Sequence, residues 1–163
     1  MIFNRSMVMV VILAGLLPAL SVAAAAPPSS AAAHPQFYPS PDPALKALPF
    51  SEAVRAGDFL LVSGQIGSQP GKLALVPGGM PAQAKQAIEN VRGVLQRHGA
   101  NLGDVVKCTV MLADMKDWPA FNAVYQQYFK PRFPARSAFG ANGLALGAQV
   151  ELECMAYAPV SRG

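Results

Sequence analysis

The chain predicts an α+β architecture, a single sheet with two helices packed on one of its faces. Three observations carry that reading. Apolar residues recur at three- and four-residue steps over 82–98 and again between Asp117 and Lys130, which is the period of a half-buried helix. Elsewhere short β-branched or alternating runs mark strands, in the order strand, strand, helix, strand, helix, strand, strand. A length of 163 residues suits one compact domain and is too short for two ordinary ones.

The amino terminus is set apart from that domain. Residues 1–25 hold one charge, Arg5, then an apolar run over 7–20 interrupted by Gly15 and Pro18, then small residues. That layout is a secretory signal peptide, with cleavage expected after Ala24 or Ala25. The apolar core is shorter than the ~20 residues of a spanning helix, so cleavage is favoured over a membrane anchor, and no membrane contact is expected afterwards. Residues 26–43, rich in Ala, Pro and Ser, read as a flexible tether in which His34 is a solvated side chain. The folded domain is expected over 44–160, in an exported, periplasmic or secreted protein.

Within the domain each element has a local cause. Residues 54–66 form two short strands around Ala56-Gly57-Asp58, the second opening on the apolar run Phe59-Leu60-Leu61-Val62 of an inner strand. Pro81 suits a first helical turn, and Ala84, Ile88, Val91 and Leu95 make one apolar stripe on a helix ended by Gly99, with His98 at its edge as a satisfied terminal residue. Residues 104–113 are strand-like. Asp117 is expected to cap the next helix, Pro119 falls in its first turn, Phe121, Val124, Tyr125 and Tyr128 give it a buried face, and Lys130-Pro131 stops it. No helix remains for the second sheet face, which invites closed self-association.

Charge and cysteine content narrow the partners. Without Arg5, twelve basic residues against nine acidic ones leave a net charge of +3. The basic residues are dispersed, whereas nucleic-acid binders cluster them on one face. Nucleic acid is therefore not an expected partner. Cys108 and Cys154 both fall in strands, each grouped with apolar neighbours (Val106 and Val110, Val150 and Leu152), and two buried free thiols are favoured over a disulfide. No metal-ligand spacing, phosphate loop, dinucleotide fingerprint or nucleophile elbow is present in the sequence.

The chemistry points to the last third of the chain. Residues 136–141 and 148–157 read as two arms of a hairpin turning near Asn142-Gly143, which would set Arg136 opposite the middle of the second arm and near Glu151. Arginine grips a carboxylate through two parallel hydrogen bonds, and a nearby glutamate can orient or deprotonate a water. The plainer reading of the same pair is an exposed cross-strand salt bridge, which contributes little.

Motifs found in order along 48–158 resemble the RidA family, also called YjgF. They are Phe50-Ser51-Glu52-Ala53-Val54, Val62-Ser63-Gly64-Gln65-Ile66, Glu89-Asn90-Val91, Asp104-Val105-Val106-Lys107, Phe121-Asn122-Ala123-Val124-Tyr125, Pro134-Ala135-Arg136-Ser137 and Val150-Glu151-Leu152-Glu153, with fifteen residues from Arg136 to Glu151. The resemblance implies a chorismate-mutase-like fold and a homotrimer whose sheets line a central barrel, with sites in clefts between subunits. It implies deamination of reactive 2-imino acids, formed from enamines, to 2-oxo acids and ammonia, without metal or organic cofactor. In that scheme Arg136 holds the substrate carboxylate, Glu151 positions or activates water, and Ser63, Gly64 and nearby backbone orient the ligand. Phe50, Trp118, Asn122 and Ala138 would line the cleft, with Gly67 and Ala138 widening it. Phe50 stands where active relatives often carry tyrosine, so one hydroxyl is missing. A non-catalytic carboxylate-binding trimer is the alternative; ribonuclease or translation-inhibitor activity is set against by the dispersed charge and the signal segment.

Overall fold

The structure, a computed structural model, describes residues 34–159. The predicted signal segment and the first part of the tether lie outside the described residues. Six strands form one sheet: β1 (Gln36–Tyr38), β2 (Ala53–Ala56), β3 (Phe59–Ile66), β4 (Val105–Leu112), β5 (Ala135–Gly140) and β6 (Val150–Tyr157). A short helix α1 (Pro43–Lys46) precedes the two long ones, α2 (Gly79–Arg97) and α3 (Trp118–Phe129). The spatial order is β1-β2-β3-β6-β4-β5, antiparallel throughout except for the parallel pair β4 and β5.

The predicted stripe on α2 is the centre of the core. Ala84, Ile88, Val91 and Leu95 are fully buried, as are Leu60, Val110, Leu112, Val150 and Leu152 on the sheet face they meet. From α3, Phe121, Tyr125 and Phe129 complete the layer. Burying side chains of this size stabilises by roughly 1.5–3 kcal/mol each, which is why the helical period survives unchanged from sequence to structure. The opposite sheet face carries Phe59, Leu61 and Tyr157 at 41, 38 and 47% exposure.

Four local expectations are corrected. The tether ends before Gln36, because Gln36–Tyr38 pairs with β2, Ser40 is buried and the Asp42 side chain caps α1 at Ala44. Phe37 and Tyr38 already break the small-residue composition there, and Tyr38 stacks on His98 with ring centroids 4.2 Å apart. At α3 the cap moves upstream: the Asp114 carboxylate accepts from the Lys116 amide at 2.9 Å and opens a tight turn over Met115–Asp117, while the Asp117 side chain makes no capping bond. Gly67 widens nothing. It is buried, and a methyl group there would meet the backbone of Gln83 at 2.6 Å, so it is a close-packing contact between the end of β3 and α2.

The cysteines are the fourth correction. Cys108 and Cys154 are joined in a disulfide. β4 and β6 are antiparallel neighbours with these two residues in direct register, both side chains on the helix face. Val106 does not share that face: a register shift between Val105 and Lys107 turns it outward to 43% exposure. Strand adjacency between segments 46 residues apart is not written in alternation, so the pairing was open in the sequence.

His98 is satisfied, as the sequence implied. Its Nε2 lies 2.8 Å from the buried Glu52 carboxylate, which also accepts from Arg97 at 2.7 and 3.1 Å. Burial pushes the Glu52 carboxyl up, but the bonds from Arg97 and His98 outweigh it and hold the group below its ordinary value. The Arg55 guanidinium locks the same corner, donating to the carbonyls of Ala158 and His98.

Candidate active site

Arg136 lies on β5, the edge strand, in parallel register with Cys108. Since Cys108 faces the helices, so does Arg136, and its guanidinium carbon sits over three rings of α3: Tyr125 at 4.8 Å, Trp118 at 5.2 Å and Phe121 at 5.7 Å from their centroids. Trp118, Phe121, Asn122 and Tyr125 follow the three- and four-residue steps that place side chains on one helix face. Ala138, two residues along β5, shares the side of Arg136 and is half-buried. Arg136, Trp118, Asn122 and Ala138 thus form one half of the predicted set.

Glu151 belongs to the other half. It is in register with Met111 of β4 and Ile66 of β3, on the sheet face away from the helices. Its carboxylate occupies the space beside Gly64 that a Cβ would need, so glycine at 64 is what admits it. Burial pushes the Glu151 carboxyl above its ordinary value, and the carboxylate of Glu153, two residues on along the same face, pushes the same way. The Ser63 hydroxyl donates to the Ser51 carbonyl at 2.6 Å, which ties β3 to the segment that presents Phe50, itself 45% exposed.

The expected hairpin is therefore not formed. β5 and β6 run in opposite directions, but β4 lies between them, and the connection over 141–149 crosses that strand. Within one chain Arg136 and Glu151 stand on opposite faces of the sheet. Tyr125, beside Arg136, lies outside the predicted set; the sequence marks it as part of the apolar face of α3. The period-two alternation of β6 places Glu151 and Glu153 on one face, and the structure keeps them there.

A hollow of about 590 Å³ lies between α2 and α3 among Pro81, Lys85, Arg92 and Tyr128, and no predicted site residue lines it. A smaller one of about 110 Å³ lies beside Glu153, Lys107 and Leu61. Among the described residues no group of three or more His, Cys, Asp or Glu side chains is placed to hold a metal, and no helix is long and apolar enough to cross a membrane.

One mixed sheet with both long helices on a single face, and a partly apolar face left uncovered, defines the α+β chorismate-mutase-like class. Residues 42–158 match the family described as endoribonuclease L-PSP, and the chain belongs to this family, the RidA family. It is 44% identical over 108 residues to a goat (Capra hircus) protein named 2-iminobutanoate/2-iminopropanoate deaminase, an alignment covering 66% of this chain and 79% of the relative. The human protein of the same name is 43% identical over the same coverage. Among solved structures, RidA from an Antarctic Psychrobacter superimposes with a TM-score of 0.65 at 33% identity, covering 74% of this chain and 94% of the other.

Proposed function

We propose that this protein hydrolyses 2-imino acids to 2-oxo acids and ammonia in sites shared between protomers of a homotrimer. The observation that carries it is the separation of the site residues into two halves on opposite sheet faces, the cation in one and the carboxylates in the other. Each half is chemically incomplete alone. A neighbour that lays its Phe50, Ser63, Gly64, Glu151 and Glu153 against Arg136, Trp118, Asn122 and Ala138 assembles an anion grip facing a water-handling acid, and the deaminase names of relatives at 43 and 44% identity supply the reaction class. The partly apolar, uncovered sheet face supports association as a closed trimeric barrel.

The steps then follow from the groups present. Arg136 binds the substrate carboxylate and fixes C2 of the protonated imine. A water held by the Glu151/Glu153 pair attacks C2 as the carboxylate takes its proton. That proton passes to the nitrogen of the tetrahedral adduct, the C–N bond breaks as the freed carboxylate takes the adduct's hydroxyl proton, and the 2-oxo acid forms while ammonia leaves and carries that proton away as ammonium. The iminium carbon is already electrophilic, so positioning and one proton carrier suffice.

Phe50 favours a second reading, a trimer that binds small carboxylates without turnover, since a tyrosine hydroxyl is missing from the cleft. Export to the periplasm or beyond belongs to the same proposal, supported by the composition of residues 1–25 and by the disulfide, a bond typical of oxidising compartments. The test is release of 2-oxobutanoate from freshly generated 2-iminobutanoate. An enzyme-dependent rate lost in Arg136→Ala supports deamination, whereas a rate equal to spontaneous hydrolysis, with retained binding of 2-oxobutanoate, supports the second reading.

A further inference from the structure

Among the described residues the Arg136 side chain takes part in no ion pair and donates no hydrogen bond; the ion pairs present involve Arg92, Arg97, His98 and Lys116. A half-buried cation is ordinarily steadied by a carboxylate. Here the three rings of α3 take that place. The difference matters for binding. A carboxylate partner on the same protomer would spend the guanidinium's N–H groups and cancel its charge, while attraction to ring faces draws on neither, so the protomer itself leaves the donors and the charge for groups across the shared cleft.

A second observation points the same way. Tyr125 is 3% exposed, and its hydroxyl oxygen is buried with no hydrogen-bond partner among the described residues. Buried hydroxyls nearly always find a partner, so what holds this side chain in place is its ring. Burial pushes the Tyr125 phenol up to about 12 despite the opposing pull of Arg136, so the group stays neutral and gives the cation no anionic partner.

Resting on the deaminase reading above, we propose that Trp118 and Tyr125 are positioning residues, whose ring faces hold the Arg136 guanidinium in place while reserving its charge and N–H donors for the ligand carboxylate. On this geometry Arg136→Lys is expected to bind poorly, because an ammonium has no planar fork to offer a carboxylate while it rests on the rings.

The experiment measures 2-oxobutanoate binding by calorimetry, and KM and kcat with 2-iminobutanoate, for the full oligomer carrying Trp118→Leu, Trp118→Phe, Tyr125→Leu, Tyr125→Phe or Arg136→Ala. Loss of one ring is expected to weaken binding and raise KM about tenfold while kcat stays within about twofold, since the contact acts on ligand capture. The phenylalanine variants keep a ring and are expected to bind within about threefold of the unaltered protein, with no loss of thermal stability for Tyr125→Phe. Binding by both leucine variants within twofold of the unaltered protein overturns the inference. Should Tyr125→Leu fail to fold, Trp118→Leu decides alone, because its half-exposed side chain is not part of the fully buried core. Arg136→Ala separates the two levels: its loss of binding with unaffected leucine variants sinks only the cradle, and its retention of binding sinks the deaminase site itself.

Discussion

Arg136 and Glu151 project from opposite faces of one sheet, because Arg136 is in register with the inward-facing Cys108 of β4 and Glu151 with its outward-facing Met111. A site that needs both must take them from different protomers. Mixing inactive Arg136→Ala protein with an inactive Glu151→Ala/Glu153→Ala double variant, with subunit exchange through mild denaturation, is expected to restore activity in mixed trimers. In the proposed trimer, an interface that pairs an intact cationic half with an intact acidic half would be functional. Absence of any recovery in demonstrably mixed trimers would contradict the shared site.

The two neighbouring carboxylates make a prediction about pH. Glu151 is pushed above its ordinary value by burial first and Glu153 second, so the acid limb of the kcat/KM profile is expected above that of an ordinary glutamate, with activity falling as pH drops through it. Glu153→Gln removes the like charge, and any activity it retains should show that limb moved to lower pH. A limb that stays put in Glu153→Gln assigns the profile to another group.

Gly64 lies directly against the Glu151 carboxylate. A Cβ at this position overlaps the Glu151 carboxylate, so Gly64→Ala is expected to displace it. Misplacement of a reacting group by about 1 Å can cost about 10²-fold in rate. Kinetics on Gly64→Ala beside an unchanged circular dichroism spectrum would test this.

Removing the bridge between β4 and β6 in a Cys108→Ala/Cys154→Ala variant is expected to lower stability by about 2–4 kcal/mol, read from denaturant melts of native and variant protein. Reduction of the unaltered protein should approach the same value. Equal stability of the two forms would show that the buried strand pairing holds this register without help.

Glu52 offers a stability test far from the site. Its folded value lies below the unfolded one, so its contribution is complete above the unfolded value and is lost as pH falls through the folded value. Glu52→Gln is expected to destabilise by about 2 kcal/mol at neutral pH, because Arg97 and His98 lose a charged acceptor. The gap to the unaltered protein should narrow in acid. A melting temperature unaffected at neutral pH would remove the cluster from the list of stabilising features.

Much of the fold was legible because its causes are local. The α2 stripe of Ala84, Ile88, Val91 and Leu95 follows from a 3.6-residue period, and the break at Ala56-Gly57-Asp58 from turn chemistry, here with Gly57 at φ +58. The resemblance across 48–158 singled out Arg136, Ser63 and Gly64 by short motifs that survive without knowledge of neighbours. The face shared by Glu151 and Glu153 follows from alternation along β6, but where that face lies relative to Arg136 depends on the 141–149 loop, whose length carries no register.

The sequence by itself determined which residue types exist to do the chemistry, the order of strands and helices from β2 onward, and which face of each long helix is apolar. Only the tertiary structure decided that β4 separates β5 from β6, that Cys108 meets Cys154, that three rings shelter the Arg136 cation, and that cation and carboxylates face opposite ways. The physical reason is range. Periodicity and turn chemistry act over a few bonds, whereas strand neighbours are chosen by burial and hydrogen bonding among segments far apart along the chain, and those choices leave little local trace.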